Sequence, residues 1–335
     1  MCSTAHPLAA ASPAFAEVDL SAEGLAFAHA EIPLAHPLAP DRPALLYRDV
    51  ARTASQLGVD GARWQRLVGP MAASADRMVA GVLDPTALPP REPLWTAAFG
   101  AAGLWPTTWV DRVVLRDDRA RAPLAESTAH DRFPSRYRRR LERWRYGSGS
   151  FGAIWALDGP VPWSDPALAG AGVLHIGGPA TEVIDAERAV ARGRIPRRPF
   201  VLFAQATVAD PARAPLGKHT GWGYCHVRHG SDLDMAAVIE EQVERFAPGF
   251  RERILAWHSM GPAAPEAHNA NEIGGDIGGS TADWRLLAAR PVLSVSPWAT
   301  PDPQLFLCSS STLPGGGVHG MCGWNAARTV LTRLG

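Results

Sequence analysis

The stretch Leu305 to Leu331 constrains this chain more than any other. Three apolar residues, Leu305, Phe306 and Leu307, read as a short buried strand bounded by turn residues. Small residues, Ser309 to Thr312, lead into Pro314 and three consecutive glycines, Gly315, Gly316 and Gly317, followed by Val318, His319 and Gly320. Met321, Trp324, Arg328 and Leu331 then fall at helical spacing, which predicts a helix beginning near Gly320. Strand, glycine turn and helix together leave backbone amides open to a ligand. The missing Cβ atoms permit close approach, and a helix N-terminus carries about half a positive charge. An anionic or electron-rich group is the natural guest. A tight turn with no ligand is equally compatible with the pattern.

At 335 residues, 46% hydrophobic and 20% charged, the chain has room for two domains or one large one with ample core. Lys+Arg and Asp+Glu are equal at 33 each, so bulk charge gives no reason to expect nucleic acid or an acidic membrane. The seven arginines between Arg132 and Arg145 do not change that. Tyr137, Leu141 and Trp144 share one helical face, which makes the arginines the wet side of an amphipathic helix. Four cysteines, Cys2, Cys225, Cys308 and Cys322, are scattered without a CxxC pair, against both a disulfide scaffold and a zinc site. No early stretch reads as a leader and no run of 18 apolar residues occurs, so a cytoplasmic protein is expected. A lipid-like substrate leaves peripheral contact with a membrane surface open.

From Met1 to Pro43, closely spaced prolines rule out a long helix and predict extended segments and turns. Pro43 to Arg48 is a plausible strand, Asp49 opens a helix, and a second begins near Asp60 with Trp64, Leu67, Val68 and Met71 on one face. Trp105 to Trp109 and Leu115 to Arg121 read as helical pieces. Phe151 to Leu157, Val173 to Ile176, Phe200 to Ala206, Thr220 to Val227 and Ile254 to Met260 are apolar and β-prone. Helices are predicted over Thr181 to Ala191 and after Ser231 and Asp234, the latter with Val238, Ile239, Val243 and Phe246 as its stripe.

Residues 1–130 hold no strand–GxGxxG–helix unit. The literal match Gly147-Ser-Gly-Ser-Phe-Gly follows a helical segment, Tyr137 to Arg145, and precedes a strand, the reverse of what a pyrophosphate site needs. Cys225, His226 and His229 invite a metal reading. Neighbours on a strand point to opposite faces, so packing is preferred and no metal ligand is named. Asp276, beside Gly275 and among four glycines, sits where backbone can approach a ligand, or closes a β-turn on its own backbone. Trp222 and Tyr224 alternate onto one strand face, where they line an apolar substrate site or simply pack. His319 donates to a ligand or caps the helix start. There is no Ser–His–Asp elbow, P-loop or HExxH.

Pro314-Gly-Gly-Gly-Val-His-Gly-Met-Cys-Gly, with Leu305-Phe-Leu-Cys-Ser before it, resembles the C-terminal motif of phytoene-dehydrogenase-like, FAD-dependent oxidoreductases. The likeness extends to His268-Asn-Ala-Asn-Glu-Ile-Gly-Gly-Asp-Ile-Gly-Gly, Arg290-Pro-Val-Leu, Thr220-Gly-Trp-Gly-Tyr-Cys-His-Val and Cys2-Ser-Thr-Ala-His-Pro-Leu. It implies that Gly315, Gly316, Gly317, Val318, His319, Gly320 and Met321 cover the flavin ring of FAD, with Gly275 and Asp276 nearby and Trp222 and Tyr224 toward an extended apolar substrate. Electrons would pass to the flavin as hydride. No side chain is an obligate base in such a family, so no catalytic residue is named. The implied fold is α/β: an incomplete Rossmann-like FAD-binding part of the flavin amine-oxidase superfamily type, residues 1–45 and 265–335, and an α+β substrate domain with an antiparallel sheet, residues 46–264. The resemblance also implies that the dinucleotide fingerprint precedes the segment like Cys2 to Pro7, and that an internal block is missing near residue 131. Two alternatives stay open: a truncated or inactive family member, and a non-catalytic binding protein for an apolar molecule.

Overall fold

The computed structural model describes residues 7–84, 133–281 and 290–334. The helical pieces expected at Trp105 to Trp109 and Leu115 to Arg121 lie outside these residues. Strands β1 (Ile32–Ala39), β2 (Arg42–Leu46), β3 (Gly149–Leu157), β4 (Ala171–Ile176), β5 (Val201–Ala204), β6 (His219–Val227) and β7 (Ile254–Met260) form one sheet in the order β2-β1-β4-β5-β6-β3-β7. Helices are α1 (Val50–Gln56), α2 (Gly61–Ala73), α3 (Ala75–Leu83), α4 (Ser135–Leu141), α5 (Ala180–Ala191), α6 (Ala236–Glu244) and α7 (Met321–Leu334). The fold is mixed α/β. By contact density the chain divides into two units, one of Ala26–Ala73 and Ser148–His268, the other of His6–Leu25, Ser74–Gly147 and Asn269–Gly335.

The sheet belongs to the first unit. Its expected antiparallel character is corrected in one place: β1 and β4 run parallel, while the other neighbouring pairs are antiparallel. A parallel pair needs a long crossover, which the chain between β1 and β4 supplies. Strand β1 escapes sequence reading because Pro33 and Pro37 lack amide donors and demote the run. The ladder accommodates them with an irregular register, Pro37 opposite Pro43 and a shift before Ala39.

One face of the sheet carries Trp155, Leu157, Leu174, Ile176, Val201, Phe203 and Cys225, all buried. Helix α6 supplies Ile239 and Val243, and the chain after it Phe246 and Phe250. Trp155 meets Phe203 at 5.8 Å and Phe250 at 5.6 Å between ring centroids. Such rings in contact add about 0.5–1.5 kcal/mol per pair beyond burial. The alternation in β6 explains its composition. A Cβ on Gly221 would lie 2.8 Å from the Phe203 ring, and one on Gly223 would lie 3.4 Å from Trp155. Glycine on that face is what admits two large rings from the facing strands. Burial also pushes the Cys225 thiol up to about 12, keeping it protonated and inert.

The expected helix starts hold at Asp49, whose carboxylate accepts from Ala51 and Arg52 amides. Before α6, Asp234 accepts from Ala236, with Met235 at the cap position itself. The apolar face of α2 is less buried than its pattern suggests, with Leu67 well exposed among the described residues.

In the second unit, α3, α7 and the one-turn helices Pro7–Ala10 and Pro13–Ala16 share a small core of Leu83, Ala14 and Met321, with Leu8, Val79 and Trp324 against it. Helix α4 ends about a turn earlier than expected, yet Leu141 and Trp144 are buried as the amphipathic pattern requires. Leu305 to Leu307 is not a buried strand. It makes a single bridge, Phe306 to Ala299, plus a 2.7 Å bond from the Leu307 amide to the Trp298 carbonyl, and stays half-buried. The partner stretch runs into Pro301-Asp-Pro303, which ends any ladder. No helix among the described residues is long and apolar enough to cross a membrane.

Candidate functional site

The glycine loop follows the expected course, and α7 begins at Met321, one residue past Gly320. Gly315, Gly317 and Gly320 take φ of 110°, 126° and 67°, values that a side chain disfavours. Neighbours press from several sides. A Cβ on Gly315 would lie 2.9 Å from the Arg290 guanidinium, one on Gly317 3.0 Å from Leu8, and one on Gly320 3.0 Å from Phe15. Gly316 rests 3.4 Å from the Gly278 backbone by the same measure. The outer side is open: Gly316, Gly317, Val318 and Gly320 are exposed. Among the described residues no acceptor meets the amides of Gly316, Gly317, Val318 or Gly320, nor those of Cys322 and Gly323 in the first turn of α7. The result is a row of donors at the positive end of a 14-residue helix, on exposed residues except for the buried Cys322.

His319 is fixed in the capping role. It is 2% exposed, and its Nδ1 accepts from the Met321 amide at 3.0 Å. The neutral ring therefore carries its proton on Nε2, and burial favours this neutral form, holding the pKa below its ordinary value. Ser12 donates its hydroxyl to the His319 carbonyl and accepts from the Phe15 amide, tying the first described residues to the loop.

Asp276 is 4% exposed and takes the turn-closing role: Oδ1 accepts from Gly278 at 2.8 Å and Oδ2 from Gly147 at 2.6 Å. Gly274 and Gly275, both at positive φ, let the chain reverse beside it. Gly147, the start of the literal GxGxxG match, is thus a partner of Asp276. Trp144 Nε1 and Ser311 Oγ both donate to the Gly279 carbonyl, at 3.2 and 3.0 Å, which stacks the 273–281 loop on the 309–316 loop. Arg290 is 5% exposed and donates to the Ser310 carbonyl at 3.1 Å; burial opposes its charge while the Asp276 carboxylate favours it.

Trp222 and Tyr224 belong to the other unit. They lie half-buried on the sheet face opposite the Trp155 core, rings 5.4 Å apart, with His226 5.8 Å beyond Tyr224 and bonded to Glu187 at 2.9 Å. Cys225 points the other way, into the core, so the strand separates Cys225 from His226.

Ser12 and Phe15 join the loop without having been singled out by sequence, while Leu8 and Arg290 entered only within segments that carry the resemblance. Ser12 and His319 are 307 positions apart, beyond the reach of any periodicity. Asn325 did carry a signal, since asparagine is a poor choice inside a helix.

No family model matches the chain. The protein named pyridine nucleotide-disulfide oxidoreductase domain-containing protein 2 from Rattus norvegicus is 31% identical over 156 residues, covering 43% of this chain and 27% of the rat protein. Its counterpart from Mus musculus is 31% identical over 159 residues with the same shares. The chain thus spans about a quarter of the length of these curated relatives. A crystal structure of an oxidoreductase from Methanosarcina mazei is 17% identical, with a TM-score of 0.36 over 62% of this chain and 39% of that one. Part of the chain is therefore similar to part of these two proteins, which supports a general oxidoreductase relationship and nothing finer.

Proposed function

We propose that this chain serves a flavin-dependent oxidoreductase of phytoene-dehydrogenase-like type, in which the 314–320 loop and the start of α7 cover the ring of FAD. The observation that carries this reading is the row of amides without acceptors at Gly316, Gly317, Val318 and Gly320, in front of a helix N-terminus. Such donors suit the electron-rich pyrimidine edge of a flavin. The crowding behind the loop supports it too, because Leu8, Phe15 and Arg290 leave the glycine backbone room to face only outward.

When bound, FAD supplies hydride acceptance. The chain's own residues would orient and stabilise it. The amides and the α7 dipole would offset negative charge on the ring edge. His319 keeps the first turn of α7 aligned by accepting from Met321, and Ser12 holds the His319 carbonyl in place. Asp276 and Arg290 are occupied by backbone partners, so they would act by shaping the loop. The half-buried Trp222 and Tyr224 face suits an extended apolar substrate. That face alone equally suits a non-catalytic binder of an apolar molecule.

An absorbance spectrum of the purified chain before and after excess FAD separates the two readings. Flavin bands that remain with the protein through gel filtration are expected. A protein that stays colourless, yet quenches Trp222-dependent fluorescence on adding an apolar polyene, would favour the binder.

A further inference from the structure

Asn325 lies one turn into α7 and is 0% exposed, yet among the described residues neither Oδ1 nor Nδ2 has a hydrogen-bond partner. A buried carboxamide left unpaired is costly, and asparagine is a weak helix former, so its place in a helix interior calls for a reason. Its position shows where it leans. Asn325 is three residues after Cys322 and four after Met321, on the same face, and helical side chains tilt toward the N-terminus. The carboxamide therefore leans over the turn that opens α7. Cys322, on that face, marks what lies there: its Sγ meets the Gly315 carbonyl at 3.4 Å and the Thr312 carbonyl at 3.7 Å. A thiol is a weak donor, so the Thr312 carbonyl keeps capacity to spare, while the Gly315 carbonyl is also faced by the His319 ring. An unpaired carboxamide and carbonyls met by a weak thiol donor thus share one helix end.

We propose that Asn325 is a positioning residue for the glycine loop, its carboxamide closing on the Gly315 carbonyl when a flavin ring edge engages the loop's amides. This inference rests on the flavin reading above. Drawing the exposed amides of Gly316 to Val318 toward a ligand turns the peptide planes on either side, and glycines at positive φ permit that rotation. The unpaired carboxamide then gains a partner only with ligand in place, which couples loop geometry to binding.

The test titrates FAD, and riboflavin as a ring-only probe, into the full chain as wild type, Asn325→Leu, Asn325→Ser and Asn325→Gln. Flavin absorbance and fluorescence are followed, with thermal melting measured in the absence of flavin. Asn325→Leu is expected to melt at or above the wild-type temperature while binding both flavins about tenfold more weakly. Asn325→Ser should also bind weakly, and Asn325→Gln, which keeps the donor, should recover part of the affinity and the wild-type absorbance shift. Equal flavin affinity in wild type and Asn325→Leu overturns the inference and leaves the flavin reading standing. Melting several degrees lower in both Asn325→Leu and Asn325→Ser means the carboxamide is already bonded, and overturns it as well. A wild type that takes up neither flavin sinks the flavin reading together with this coupling.

Discussion

The two units put the same residue, glycine, to opposite uses. In β6, Gly221 and Gly223 have ordinary strand backbones and give up their side chains so that Phe203 and Trp155 can close a core. In the 315–320 loop, Gly315, Gly317 and Gly320 adopt positive φ, and the space gained is filled from behind by Arg290, Leu8 and Phe15 while the backbone faces outward. One unit uses missing Cβ atoms to bury rings, the other to expose amides. A glycine-rich sequence is therefore ambiguous until its surroundings are known.

The largest effect should come from the packed unit. Trp155→Ala removes a ring in contact with Phe203 and Phe250 and should cost about 3–5 kcal/mol in urea unfolding. A loss under about 1 kcal/mol would break the view of this ring as the centre of the core. Next, Gly221→Ala drives a methyl to within 2.8 Å of Phe203 and should cost about 1–3 kcal/mol. Gly152→Ala on neighbouring β3, where the nearest atom is a carbonyl at 3.8 Å, is the matched control and should be nearly silent. Equal losses at the two sites would mean that strand propensity, not ring clearance, decides.

In the loop unit, Gly317→Ala forces a side chain onto a backbone at φ 126° and should cost about 1–3 kcal/mol of local strain. Its expected signature is an FAD dissociation constant raised about tenfold, with the unfolding of the Trp155 core little changed. A variant that binds FAD normally would break the distinction between the two uses of glycine.

The smallest effect concerns His319. Burial lowers its pKa from the ordinary 6.5, so the unfolded chain holds the proton more tightly than the folded one. Stability from the neutral ring is complete above about pH 6.5 and is lost as pH falls through the folded value. Protonation also removes the Nδ1 acceptor used by Met321, a cap worth about 1 kcal/mol. Thermal melting between pH 7.5 and pH 5 should fall more for wild type than for His319→Asn, which caps without titrating. Parallel curves would assign the acid sensitivity elsewhere.

Much of the packed unit was legible in sequence. The alternation in β3 and β6 and the stripe of α6 report burial on a local period, and these elements, like the largely exposed edge strand Ile254 to Met260, appear within a few residues of their expected places. The glycine loop and the start of α7 were legible for a different reason, since turn chemistry and helix spacing are also local. Leu305 to Leu307 misled because three apolar residues satisfy the strand pattern without saying whether a partner is available.

What the chain determined by itself is thus the set of segments with a period and the turns between them, because side-chain spacing along one backbone is enough to create an apolar face. The tertiary structure alone decided that β1 lies parallel to β4, that Ser12 holds the carbonyl of His319, that Asp276 closes on Gly147, and that Asn325 is enclosed without a hydrogen-bond partner among the described residues. Each of these joins residues distant in the chain, or depends on which groups crowd around one side chain. Their free energy exists only once the segments are assembled, and no window along the sequence contains both partners.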